Sequence, residues 1–252
     1  MGALLELDRV TKRFGKVTVA QDLSFAIEAG SALGVVGPNG AGKTSLFGLI
    51  SGDLAPDSGQ IRFDGRGVLR LDASQRCRSG IGRTYQVPRP FSGMTVFENV
   101  LVAAQQGAQV KGRASHALAY ESLVGTGLAG EANRLAGSLG LLQRKRLELA
   151  RALATRPRLL LLDEVAAGLT DLEVAELVEI VRGARAAGLA VIWIEHVVRA
   201  LMPTVERLIC LADGKLIGDG EPRAVLASPG VREVFLGTDL DLGLLPAAAP
   251  PA

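Results

Sequence analysis

Apolar and polar residues alternate along Leu4–Val10 and again along Ser24–Ile27, the period-two pattern of half-buried strands in a hairpin-rich sheet. Ala32–Val36 is a short apolar run that ends in the turn Gly37–Gly40, as a buried strand does. Lys43–Ile50 reads as a helix stopped by Gly52, and Asp57-Ser58-Gly59 as a turn before the strand Gln60–Phe63. From about Arg83 to Ala136 the pattern changes to helices split by glycines, expected at Glu98–Gln106, Ser115–Val124 and Glu131–Ala136. Gln143–Ala154 is a strongly amphipathic helix, with Leu147, Ala150, Leu153 and Ala154 along one side and arginines on the other. After it, the short apolar runs Leu159–Leu162, Ala190–Ile194 and Arg207–Leu211 alternate with helical stretches, which points to a parallel sheet buried on both faces. The expected fold is α/β: a mixed or parallel sheet core with an antiparallel β edge and an α-helical insert. One domain is expected over 1–243, the helical insert over about 87–155, and the Pro- and Ala-rich 244–252 as a disordered tail. There is no internal repeat.

Composition narrows little. The chain has 252 residues, 48% hydrophobic and 21% charged, an ordinary globular balance, and its formal net charge of +2 gives no push toward nucleic acid. Cys77 and Cys210 lack metal-ligand spacing and read as reduced thiols. Met1–Val10 does not resemble a secretory signal, and the longest apolar runs fall far short of the ~20 residues that span a bilayer.

The most specific chemistry lies in Gly37–Thr44, GPNGAGKT, which fits G-x-x-x-x-G-K-S/T after a strand and before a helix. At average residue usage that pattern arises by chance in on the order of one percent of chains this long. Gly37, Pro38, Asn39, Gly40, Ala41 and Gly42 would wrap their amides around phosphate oxygens, and the following helix, with Ser45 in its first turn, adds its positive end. Lys43 would reach the β- and γ-phosphates of ATP, and the Thr44 hydroxyl is placed for Mg²⁺. Arg158–Val165, RLLLLDEV, supplies acids at the end of a buried strand: Asp163 for the metal and Glu164 as acceptor of a proton from water. Alone, four leucines before Asp-Glu are a weak signal; beside a phosphate loop they are a strong one.

Together these motifs resemble the nucleotide-binding domains of ABC transporters over nearly the whole chain. The resemblance implies that Phe14, in KRFG, stacks on adenine, and places Val19 among the ATP-binding residues. It implies that Gln86, in GRTYQ, links Mg²⁺ to the helical insert, and that His196, in WIEHV, contacts the γ-phosphate. Within that family, Gly80–Ala103 (GIGRTYQVPRPFSGMTVFENVLVA) is similar to the ATP-binding proteins of branched-chain amino-acid importers, as are Arg146–Pro157, Ala166–Thr170, Ile194–Met202 and Val234–Gly237. That similarity implies an ATPase on the inner face of the cell membrane. Its partners would be a second ABC ATPase subunit, as heterodimer or homodimer, two transmembrane permease subunits, and indirectly an extracytoplasmic substrate-binding protein. ATPases of lipid exporters or of urea and amide uptake, and soluble ABC ATPases, are the alternatives; the long coiled coil or paired ATPase domains typical of the soluble class are missing.

One element departs from the family. The signature that covers the partner subunit's ATP resembles L-S-G-G-Q, and the gap-free frame places it at Leu139, Gly140, Leu141, Leu142 and Gln143, without the serine and with leucine for the second glycine. A frame shifted to Ser138 and Gly140 restores Ser-x-Gly but needs two extra residues before the helix. Val165 replaces a common proline, and Thr170 stands where many relatives carry aspartate.

Overall fold

The computed structural model describes residues 2–235. The stretch 244–252, read as a disordered tail, lies outside them. Strands β1 (Leu5–Phe14), β2 (Val17–Ile27), β4 (Ser58–Phe63) and β5 (Arg66–Gly67) form an antiparallel sheet in the order β2-β1-β4-β5. A second sheet runs β10-β9-β3-β8-β7-β6, built from β3 (Ala32–Val36), β6 (Ile81–Arg83), β7 (Leu159–Asp163), β8 (Ala190–Ile194), β9 (Arg207–Ala212) and β10 (Lys215–Gly220). Its strands are parallel except β10, which pairs antiparallel with β9. The core strands β3, β7 and β8 are apolar and buried at nearly every position because both faces of the sheet are covered.

One face packs with the antiparallel sheet around helix α1 (Lys43–Ser51), whose Leu46, Phe47, Leu49 and Ile50 are wholly buried. The other face carries α6 (Asp171–Ala186), the short α7 (Val198–Leu201), α8 (Pro222–Ala227) and α9 (Pro229–Phe235). A third core joins α3 (Val96–Gln106), α4 (Gly112–Gly125) and α5 (Leu141–Ala154) into the helical insert. Helix α5 belongs to two cores. Leu147, Ala150 and Ala154 face α3 and α4, whereas Leu149, Ala152 and Leu153 face the sheet. Leu153 is therefore not on the side expected from its spacing.

The helix expected at Glu131–Ala136 is absent. Short 3-10 turns stand at Ala129–Glu131 and Ala136–Ser138, and between them the chain runs beside the start of α3. The carbonyls of Arg134 and Ala132 accept from the amides of Val96 and Phe97, first-turn groups that no helix can satisfy internally. Those carbonyls are spent on α3, so they cannot build a helix of their own. The expected strands Leu4–Val10 and Ser24–Ile27 extend further, as β1 and β2, with register shifts between Leu7 and Val10 that bend the pair.

Candidate functional site

The site forms where β3, β7 and β8 end. Adjacent strands hold their last residues in register: Leu161 faces Ile192, and Asp163 faces Ile194. The segment from Gly37 leaves β3 and returns in α1, whose first residue is Lys43. Two of its glycines are sterically required. Gly37 has φ +156°, and a Cβ there would lie 2.2 Å from the Leu211 carbonyl oxygen; Gly42 has φ +100°, and a Cβ there would lie 2.1 Å from the Val19 carbonyl oxygen. The loop is thus pressed between β9 and β2, with Asn39, Gly40 and Thr44 outward, Pro38 and Ser45 half-buried, and Ala41 buried. Val19 meets it through the main chain.

Lys43 is only 6% exposed, and its Nζ donates to the Gly37 and Pro38 carbonyls at 2.7 and 2.9 Å. Burial pulls the ammonium below the usual lysine range, while Glu164 and Asp163 work in the opposite direction. Asp163 is buried at the end of β7. Burial pushes its carboxyl up, and Arg83 opposes this by donating to Oδ2 at 3.2 Å. Its other oxygen, Oδ1, is buried and has no hydrogen-bond partner among the described residues. A carboxylate with one oxygen held and the other free fits a hard oxygen-seeking cation such as Mg²⁺.

Glu164 follows with a left-handed backbone, φ +48°. Its Oε1 lies 2.6 Å from His196 Nε2, and its Oε2 accepts from Gln86 Nε2. The contact with His196 is the main reason the Glu164 carboxyl sits below its ordinary range, against the effect of burial. It is therefore ionised near neutral pH, and the nitrogen facing it must be the protonated one. A glycine cradle, a buried ammonium, one carboxylate with a free oxygen and a second held between an amide and an imidazole together suit phosphoryl transfer from a nucleotide to water.

A family model for ABC transporters matches residues 20–167. The chain belongs to the ABC transporter ATP-binding proteins, and it is an ATPase. This ATPase is 33% identical to the lipopolysaccharide export system ATP-binding protein LptB of Acidithiobacillus ferridurans, over 96% of this chain and 100% of that one. It is also 33% identical to the high-affinity branched-chain amino acid transport ATP-binding protein BraF of Pseudomonas aeruginosa, over 93% and 98%. Among solved structures, the ATP-binding cassette MJ1267 in its ADP conformation superposes with a TM-score of 0.84 at 26% identity, over 94% of this chain and 100% of that one.

In the ATPase, Lys43, Asp163, Glu164, Gln86 and His196 come together, whereas Phe14 stands at the rim. Phe14 is 50% exposed at the end of β1, with the Lys12 ammonium 5.4 Å from its ring centre. It pairs with Val17, two residues before the Val19 carbonyl that faces Gly42. Gly140, Leu141, Leu142 and Gln143 open α5, and none of the hydrogen bonds or ion pairs described at the site involves them. Gly140 is the N-cap and has no side chain to cap with, unlike Thr95 and Thr170, which cap α3 and α6. Thr170 forms a capping box with Glu173, a structural reason for threonine at that position.

Three residues at the site have no role assigned by the motifs that contain or adjoin them. Arg83 bridges Asp163, Asp53 and Ser51. Lys145 donates to the Glu164 carbonyl at 3.2 Å, and Glu195 accepts from the Ala166 amide at 2.6 Å. Only their closeness to Gln86, the signature and His196 in the chain could have flagged them.

Proposed function

We propose that the chain binds MgATP with its phosphates in Gly37–Ser45 and hydrolyses it with Glu164 as the base. The observation that carries this reading is the ionised Glu164 carboxylate, held by Gln86 and His196 beside the Lys43 ammonium. Water attacks the γ-phosphorus, its proton passes to Glu164, and ADP and phosphate leave. Thr44, Gln86 and Asp163 would hold Mg²⁺, which neutralises phosphate charge when bound. His196 orients Glu164 and lies within reach of the γ-phosphate, while Phe14 and Val19 flank the adenine. In the active assembly the ATP lies at a head-to-tail interface with a second ABC ATPase subunit, and Gly140–Gln143 cover the ATP of that partner.

The chain works on the cytoplasmic face of the membrane, bound to two permease subunits and served by an extracytoplasmic binding protein. No helix among the described residues is long and apolar enough to cross a membrane itself. Uptake of branched-chain or other hydrophobic amino acids is the favoured task, supported by the similarity of Gly80–Ala103 to importer subunits and by the match to BraF. The equal identity to LptB supports lipopolysaccharide export as the second reading. Disrupting the gene and measuring uptake of labelled leucine, isoleucine and valine separates the two. Lost uptake with an intact outer surface is expected; normal uptake with defective lipopolysaccharide delivery would favour the second.

A further inference from the structure

The hydrogen bonds of Lys145 and Glu195 reach none of the side chains placed around the nucleotide, yet the two residues are 4% and 0% exposed. A buried ammonium and a buried carboxyl are poor devices for stability, because apolar residues of similar size often serve as well. What they hold is specific. The Glu164 backbone is left-handed, a conformation that a residue with a side chain keeps only when its surroundings enforce it. Its amide donates to the Ile194 carbonyl at 2.9 Å. Its carbonyl accepts from Lys145 Nζ at 3.2 Å. Two residues on, the Ala166 amide donates to Glu195 Oε1 at 2.6 Å, and that oxygen is steadied by the Trp193 indole at 3.3 Å.

We propose that Lys145 and Glu195 are positioning residues that clamp the main chain at the Glu164 carbonyl and at the Ala166 amide, and so aim the Glu164 carboxylate at the reacting water. The proposal rests on the reading of Glu164 as the base. Glu195 also precedes His196, so one strand end sets both the backbone and the imidazole that hold Glu164. Lys145 extends from the second turn of α5, a helix whose N-cap is Gly140. A shift of that first turn, which covers the partner's ATP, therefore moves the ammonium that holds the Glu164 carbonyl.

The test uses Glu195→Leu, Glu195→Gln, Lys145→Met and Glu164→Gln in the assembled transporter, reading kcat, KM for MgATP and affinity for a fluorescent ATP analogue. Hydrogen exchange at the Ala166 amide is read in the full-length chain alone. Glutamine keeps an oxygen for the Ala166 amide and leucine does not. Glu195→Leu and Lys145→Met are expected to lower kcat about 10²-fold, the effect of a misplacement of about 1 Å, with KM and analogue affinity unchanged. Glu195→Leu should speed exchange at Ala166, Glu195→Gln should recover most of the lost kcat, and neither clamp variant should add to the loss in a Glu164→Gln background. Equal losses in Glu195→Gln and Glu195→Leu, parallel loss of nucleotide affinity, or losses additive with Glu164→Gln would overturn the clamp. Should Glu195→Leu fail to fold, Lys145→Met carries the test, because its unbranched side chain fills the same path. Wild-type turnover in Glu164→Gln would instead remove the base itself, and the clamp with it; slow Glu164→Gln beside fast Glu195→Leu and Lys145→Met would remove the clamp alone.

Discussion

Glu164 and His196 lie one and two residues beyond a register pair, Asp163 and Ile194, so the pairing of β7 with β8 sets their 2.6 Å contact. The imidazole keeps Glu164 ionised despite its burial. As the proposed base, Glu164 is already charged and already oriented, and needs no rearrangement at the moment of proton transfer.

Lys43→Ala should remove most MgATP affinity. The ammonium is the buried cation of the phosphate loop, and loss of charged hydrogen bonds of ~1.5–3 kcal/mol weakens binding by roughly 10- to 10²-fold. Titration with a fluorescent ATP analogue checks this, and unchanged affinity would contradict the assignment of the loop.

Gln86 joins the Glu164 carboxylate to the segment that leads into the helical insert. Gln86→Ala is expected to reduce hydrolysis stimulated by transport more than basal hydrolysis. Rates measured with and without the transported substrate decide, and equal loss of both would limit Gln86 to the chemistry of its own site.

Glu195 gives stability a pH dependence. Burial raises its carboxyl to about 7, so between its ordinary value and about pH 7 the folded state keeps a proton that the unfolded chain has released. Stability therefore falls as pH rises through that window, by about 3 kcal/mol in all at 1.36 kcal/mol per unit. The Lys145 ammonium from α5 is the charged group that works against the rise. Glu195→Gln removes the titration, and its melting temperature should gain on the wild type between pH 5 and pH 8. A constant difference across that range would show that Glu195 does not titrate there.

If Gly140–Gln143 cover the partner's ATP as proposed, the opening of α5 should make the two sites of a heterodimer unequal. Gly140 offers the partner's ATP no hydroxyl, and loss of one positioned donor to developing charge slows reaction by ~10²–10³. With an intact signature in the partner, ATP bound by this chain is the faster to be cleaved. Replacing the partner's glutamate base should leave a large fraction of hydrolysis, whereas Glu164→Gln here should nearly stop it. Equal losses would point to strict coupling of both sites or to the Ser138–Gly140 frame.

The phosphate loop, Asp163 and Glu164 are legible in the chain because each follows a run of buried apolar residues and sits in a contiguous motif. Arg83, Lys145 and Glu195 are not. Their roles arise from strand register and from the packing of α5 on the sheet, and a lone Lys or Glu reads as a solvated charge until both neighbours are known. Strand β6 escapes notice because three residues around Gly82 show no period. The face of Leu153 escapes for another reason: helical spacing identifies an apolar side, but α5 has two.

The most direct measurement is nucleotide binding and phosphate release by Glu164→Gln in the transporter assembled with its membrane partners. Lys43 and the glycine cradle are untouched, so MgATP affinity should match the wild type. Phosphate release should fall by ~10²–10⁴, the usual contribution of a general base. Wild-type release at wild-type affinity would contradict the central claim that Glu164 takes the proton of the attacking water.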